Sequence, residues 1–453
     1  MLNNEEKRLM IRKLFLAVLL FVLPTILLAQ QKWTLRQCVE YAIENNINLK
    51  QQEVIVNQSD LAVKTNQYSR LPDLNVGMGQ NFSFGRSTNV ATQISESQNS
   101  LSSSLNVHSS IPLFTGFRIP NEIKAGKLDL LAAVEGLNKA KENLEIQVTT
   151  YFLEVLFEKE LLKIAEEQVE QTQEQVEKTR ILYEGDKVPL AQLYDIKAQL
   201  ANDELNRQNA QNNLESSLLD LAQALNLRDV SQFDVQEPQI GDVITENISS
   251  ILPPEEIYQQ AVQIKPHIKE ASYRLEGEKR RLKVAQAAYW PTLSFSMSYN
   301  TGYGRRAGAE NIIFKRQLKD NSSEVLGFSL NIPIFNRFQT RNRVKEVRLS
   351  LLNRNLELDY VKQTFFKEIQ QAYQSAIASQ TKYDYTVRAL EAAKEAYQYA
   401  QEKYNVGRST VVELNEAKLK YITSQSEQVQ AKYDFLFRAK ILDFYRGYPI
   451  RIE

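Results

Sequence analysis

Tyr289-Trp290-Pro291-Thr292-Leu293-Ser294-Phe295-Ser296-Met297-Ser298-Tyr299 carries the chain from a helical pattern into a period-two pattern. Pro291 stops a helix, because it lacks an N–H and its ring clashes with the preceding turn. Beyond it, Leu293, Phe295, Met297, Tyr299 and Tyr303 alternate with Ser294, Ser296, Ser298, Asn300 and Gly304. Alternate residues of a strand face opposite sides, so this strand has one greasy face and one small polar face. The return strand repeats the pattern: Leu326, Phe328, Leu330, Ile332 and Ile334 alternate with Gly327, Ser329 and Asn331. Each run is about 10–12 residues, enough to cross a bilayer at a tilt of about 45°. Lipid on one face and water on the other is the pattern of a membrane barrel. One side of a soluble β-sandwich would alternate too, but the chain offers only four such strands, as two isolated hairpins.

The same passage occurs earlier. Arg70-Leu71-Pro72-Asp73-Leu74 matches Tyr289–Leu293, and leads into Leu74, Val76, Met78, Phe82 and Phe84 alternating with Asn75, Gly77, Gly79, Asn81 and Ser83. Leu101, Leu105, Val107, Ile111 and Leu113 alternate on the way back. Ile111-Pro112-Leu113-Phe114 matches Ile332-Pro333-Ile334-Phe335. Tyr183-Glu184-Gly185, ten residues before Leu193, matches Tyr404-Asn405-Val406-Gly407, ten before Leu414. All need an offset of roughly 220 residues, which marks a tandem duplication. The stretches 87–100 and Arg305–Ser323 read as polar loops.

Trp33–Arg70 reads as one helix stopped by Pro72. After each hairpin comes a much longer one. From about Asn121 to Glu184 there is no proline, and apolar residues recur every seventh position: Val134, Val148, Val155, Leu162, Val169, Val176 and Tyr183 in one row, with Leu130, Leu137, Leu144, Tyr151 and Ala165 beside it. The second copy repeats this with Ile369, Ala376, Tyr383, Leu390, Tyr397 and Tyr404, beside Phe365, Ala372, Ala393 and Ala400. A sustained heptad seam specifies left-handed coiled-coil packing. Short turns at Gly185–Pro189 and Val406–Thr410 lead into helices over Leu190–Asn226 and Val411–Tyr445. Thr410-Val411-Val412-Glu413 has the form of a capping box.

The 55 basic and 55 acidic residues cancel, which argues against a nucleic-acid partner. The histidines are His108 and His267 and the cysteine is Cys38, so no His/Cys cluster has metal-ligand spacing. Cys38 reads as a buried structural thiol. No catalytic constellation, cofactor site or metal site is expected. Lys7, Arg8, Arg12 and Lys13 precede the apolar run Leu14–Leu28, which ends at Ala29: a secretory leader. The reading therefore divides the chain into a leader at 1–29, a first repeat at 30–228 with strands at about 74–86 and 101–114, and a linker at 229–254. A second repeat at 255–448, with strands at about 292–304 and 325–336, and a tail at 449–453 follow. Four strands cannot close a barrel, and open edges in lipid leave backbone groups unpaired, so several chains must pool their strands. A threefold ring would give twelve strands and carry the long helices into a tube.

The ordered set of Leu-Pro/Trp-Pro junctions, Ile-Pro-Leu-Phe/Ile-Pro-Ile-Phe exits and tip motifs resembles the TolC family of outer-membrane efflux proteins from Trp33 to about Tyr448. Lys403-Tyr404-Asn405-Val406-Gly407-Arg408-Ser409, followed by Val412-Glu413-Leu414, carries most of the likeness. The resemblance implies a mainly α fold in two tandem repeats. Each protomer would give long helices to a periplasmic α-helical barrel and four strands to a 12-stranded trimeric outer-membrane β-barrel. It implies a homotrimeric channel in the outer membrane of a Gram-negative bacterium, working with a periplasmic adaptor protein and an inner-membrane RND or ABC transporter. It also implies an acidic ring just after the second tip turn, which falls here on Glu413 and Glu416, with Asp195 similarly placed after the first. Capping explains Glu413 equally well. Tyr183, Gly185, Tyr404, Gly407, Arg408 and Ser409 are the expected tip-turn and adaptor-contact residues. Tyr404 and Arg408 are candidates for holding the tip closed, although packing would also account for Tyr404 and a solvated turn for Arg408. Pro72, Pro112, Pro291 and Pro333 mark the expected helix–strand junctions. Asp186 stands where the second motif has Gly407, which ranks the second turn above the first as an adaptor contact. Phe84, Tyr299 and Tyr303 fit an aromatic girdle. The rival reading is a secreted coiled-coil scaffold or adhesin without a pore.

Overall fold

The structure is a computed structural model that describes residues 32–88, 93, 95–97, 99–228, 230, 233–238, 252–306 and 313–452. The expected leader and most of the expected linker lie outside the described residues. The helices are α1 (Leu35–Asn45), α2 (Ile47–Tyr68), α3 (Arg118–Glu184), α4 (Leu190–Leu225), α5 (Pro254–Ile264), α6 (Pro266–Ala287), α7 (Phe314–Asp320), α8 (Gln339–Asn405) and α9 (Val411–Tyr445). The strands are β1 (Asn75–Ser83), β2 (Arg86–Thr88), β3 (Ser95–Ser97), β4 (Ser100–Phe114), β5 (Thr292–Arg306) and β6 (Ser323–Asn331). None of the described helices is long and apolar enough to cross a membrane.

The chain divides into two compact units. One draws on residues 53–136 and 266–361. It holds an antiparallel sheet in the order β1-β4-β5-β6. The hairpin β1–β4 belongs to the first repeat and β5–β6 to the second, so the central β4–β5 ladder joins the two copies. That ladder pairs Ser100 with Arg306 and continues to Phe114 opposite Leu293, with a register shift between Pro112 and Phe114. Pro112 thus lies inside β4, not at a helix junction. Helix α3 begins two positions before Pro120, where a missing N–H costs nothing because first-turn amides have no intrahelical acceptor.

The strand-to-helix turns of both copies use left-handed backbone. Gly116 and Phe117 have φ 61° and 66°, and Arg337 and Phe338 have φ 53° and 61°. At Gly116 a Cβ would lie 2.5 Å from the Ala287 carbonyl oxygen, so only glycine permits that approach. Nearby, Arg281 donates to Asp129 at 2.6 Å and to Glu278 at 3.1 Å, tying α6 to α3.

The other unit draws on the described residues up to Gln52, within 137–265 and from 362 onward. Its core gathers Cys38, Ala42, Val148, Phe152, Val155, Leu221, Leu225, Val235, Phe435 and Leu436. The first heptad row supplies Val148 and Val155 to it, and Ile369 and Ala376 of the second row are fully buried as well. Burial pushes the Cys38 thiol up to about 12, leaving it an inert packing group. Residues 233–238 are strapped to the core. Trp33 and Val235 form a parallel bridge, and Lys159 donates to the Val235 carbonyl at 2.9 Å.

Several details depart from the sequence reading. Trp33–Arg70 is two helices, because Asn46 turns extended and its side chain caps α2 by accepting from the N–H of Asn48 and Leu49. The stretch 87–100 contains the short hairpin β2–β3. Arg305–Ser323 contains helix α7. The residues read as a tail fold onto the core, where Ile450 and Ile452 are buried and the Ile450 N–H donates to Glu145 at 3.1 Å.

Candidate functional site

The candidate site is the pair of interhelical turns that ends the long helices. In the first, the Asp186 N–H donates to the Tyr183 carbonyl and the Lys187 N–H to the Leu182 carbonyl, both at 2.9 Å. In the second, the Gly407 N–H donates to the Tyr404 carbonyl at 3.0 Å and the Arg408 N–H to the Lys403 carbonyl at 2.9 Å. Both are Schellman turns, and each needs a left-handed residue just past the helix. Gly407 fills that position at φ 73° and Asp186 at φ 55°. Asp186, not Gly185, is therefore the structural counterpart of Gly407.

The turns are linked by side chains. The Gln192 amide donates to the Tyr404 hydroxyl, and Lys178 donates to Asn405 at 2.8 Å. Tyr404 is half-buried and Tyr183 is 37 % exposed, so the two heptad counterparts differ. Thr410 caps α9 by accepting from the Glu413 N–H. The Glu413 carboxylate does not complete a box there; it accepts from the Ser409 hydroxyl at 2.5 Å. Glu413, Glu416 and Asp195 are all exposed, as is Arg408.

Above the turns lies a network that the sequence reading missed. Lys418 on α9 donates to Asp203 on α4 at 2.9 Å and to Thr172 on α3 at 2.6 Å. Thr172 donates to the same carboxylate oxygen at 2.6 Å, and Gln199 donates to the other at 2.8 Å. Lys418, Asp203 and Thr172 are buried, and Gln199 is half-buried. Tyr397 on α8 stacks on Tyr421 with ring centroids 5.7 Å apart. Burial, Tyr421 and the Asp203 charge together raise its phenol above the ordinary range. The signal was available: Asp203 follows buried Ile196 by seven residues and Lys418 follows buried Leu414 by four, so both point inward. Gln192 carried no such signal, because its role depends on a hydroxyl in the other repeat.

A family model described as "Outer membrane efflux protein" matches residues 38–227 and 257–444. The chain belongs to that family. Among curated relatives, it is 21% identical over 327 residues to the outer membrane efflux protein BepC of Brucella suis, covering 71% of this chain and 67% of that one. It is 20% identical over 378 residues to the outer membrane protein TolC of Escherichia coli, covering 81% and 72%. The solved outer membrane protein VceC of Vibrio cholerae superposes with a TM-score of 0.72 at 16% identity, covering 92% of this chain and 97% of that one. The tandem repeat, the helical hairpins and the four-stranded sheet are therefore the fold of an outer-membrane efflux channel. The place of work of this outer membrane efflux protein is the outer membrane of a Gram-negative cell.

Proposed function

We propose that three copies of this chain pool their strands into one twelve-stranded barrel and continue into a helical conduit across the periplasm. The sheet carries this reading. Val76, Met78, Phe82, Met297, Leu326, Phe328 and Leu330 expose an apolar face, while the opposite face is mostly Ser, Asn and Gly, with His108, Pro112, Thr292 and Val325 among them. In a membrane barrel such a sheet buries its greasy face in lipid. Its edge strands β1 and β6 each have one ladder left to pair, and closure between copies removes both open edges.

The tip turns then form the gated, adaptor-facing end. Six carboxylates from Glu413 and Glu416 would ring the axis in a trimer, favouring cations. Gly407, Arg408, Ser409, Tyr183 and Gly185 form the surface offered to a periplasmic adaptor, which connects to an inner-membrane pump of the RND or ABC class. The Gln192–Tyr404 bond restrains the two turns in the closed arrangement. No residue is assigned a catalytic role.

Light scattering of the detergent-purified chain tests this reading, with cysteine pairs placed on the facing edges of β1 and β6. Three protomers per particle and cross-links only between copies are expected. A monodisperse monomer that stays soluble without detergent would favour the scaffold reading.

A further inference from the structure

Helix α7 interrupts the loop between β5 and β6, and its seat is well defined. The Thr301 hydroxyl donates to the Leu318 carbonyl at 2.5 Å, the Gly304 N–H donates to the Gln317 side chain at 2.8 Å, and the Asn321 amide donates to the Gly302 carbonyl at 2.8 Å. The Phe314 ring meets the Tyr303 ring edge-on at 5.1 Å. Thr301 and Tyr303 lie on the same face of β5 as Leu293, Phe295, Met297 and Tyr299, because strand faces alternate. The helix therefore lies along the edge of β5 beyond Asn300 and reaches onto the apolar face through Thr301 and Tyr303, at the end far from the helix–strand junction at Pro291. Thr301, on a sheet face that is otherwise open, is only 8% exposed because α7 covers it.

What α7 presents outward is cationic and amphipathic. Lys315, Arg316 and Lys319 are exposed, and so is Arg305 on the neighbouring stretch of β5. Exposed Ile313 and Phe314 stand at the helix start. Two acids temper the charge: Asp320 pairs with Arg316 at 3.4 Å, and Glu324 lies opposite Tyr299. Among the described side chains, four cations against two carboxylates leave a positive surface immediately beyond an apolar band and next to aromatic rings. Apolar anchors beneath cations are what binds a helix to anionic headgroups at a membrane surface.

We propose that α7 is a headgroup dock for the outer leaflet, binding the phosphate groups of phosphorylated glycolipid and fixing the barrel's depth. This rests on the barrel reading above, since only there does the apolar face of β5 meet lipid. Lys315, Arg316 and Lys319 supply the phosphate contacts, and Ile313 and Phe314 enter the acyl boundary. The loop on the first hairpin offers Arg86 as its strand-end cation, so the dock belongs to the second repeat.

The test titrates the full detergent-purified chain with fluorescent bisphosphorylated lipid A and with its dephosphorylated form. Phosphorylated lipid A should bind at least about tenfold more tightly, with binding that weakens as salt rises. Lys315→Ala/Arg316→Ala/Lys319→Ala should lose that preference, whereas Lys315→Arg/Lys319→Arg should keep it. Particle mass and insertion into vesicles, measured on the same samples, report on the barrel separately. If the wild-type chain inserts as an oligomer but binds both lipids alike, this inference fails and the barrel stands. If the triple-alanine chain keeps the preference, it fails as well. If the wild-type chain does not insert into any vesicle, both fall.

Discussion

The Lys418 ammonium lies 2.9 Å from the Asp203 carboxylate, in a site where both side chains are almost wholly buried and where three helices from both repeats meet. Taking two charges out of water is costly, and their attraction offsets that cost only with good geometry and further hydrogen bonds. Thr172 and Gln199 supply those bonds. Such a pair fixes which residues face each other along an otherwise sliding seam. Lys418→Met should therefore destabilise the chain by about 3–5 kcal/mol, because Asp203 is left charged and unpaired. The double change Lys418→Met/Asp203→Leu should recover most of the loss. Urea unfolding of the three proteins checks both expectations; equal losses in single and double variants would contradict them.

The two turns make a paired backbone prediction. Asp186 and Gly407 occupy equivalent left-handed positions, where a Cβ carries a penalty of about 1 kcal/mol. Asp186→Gly should stabilise the first turn by about that amount, and Gly407→Ala should weaken the second by a similar one. Amide exchange at Lys187 and Arg408, whose N–H groups close the turns, measures each change locally.

Glu158 on α3 offers a pH test. Its Oε2 is buried without a hydrogen-bond partner among the described residues, and burial, followed by the neighbouring Glu154 charge, raises its carboxyl above the ordinary 4.5 despite a bond from Asn213. The folded chain thus holds this proton more tightly than the unfolded chain. The stabilisation is complete below about pH 4.5 and is lost as pH rises through the raised value. Glu158→Gln should exceed the wild type in stability at neutral pH, with the gap closing on acidification. Thermal unfolding at a series of pH values would show it; a constant gap would remove Glu158 from the explanation.

The Gln192–Tyr404 bond predicts a looser tip when it is cut. Tyr404→Phe removes only the hydroxyl and keeps the packing. Channels of this variant should open more often or to a larger conductance than the wild type, and Gln192→Leu should match them. Unchanged traces in both would assign Tyr404 to packing alone.

How much of this was legible in the sequence follows from how far each signal reaches. The faces of β5 and the rows through Val148 and Ile369 follow from period alone, and period is a local property. The capped break at Asn46 was harder, since one polar residue inside an apolar-periodic stretch does not interrupt the period. Helix α7 was invisible in a polar loop because bonds donated by Thr301 and Gly304 and accepted by the Gly302 carbonyl hold it, not its own propensity. The Lys418–Asp203 pair needed a contact across 215 residues, which one chain's pattern does not announce. Glu413 showed the opposite limit: the spacing from Thr410 implied a reciprocal cap, yet the carboxylate turned to Ser409.

The most direct test of the account is single-channel recording of the purified oligomer in planar bilayers, comparing wild type with Glu413→Ala/Glu416→Ala. A small cation-selective conductance that loses its selectivity in the double variant is the expected result. An oligomer that inserts but never conducts would contradict the conduit, and selectivity untouched by the double change would move the constriction away from Glu413 and Glu416.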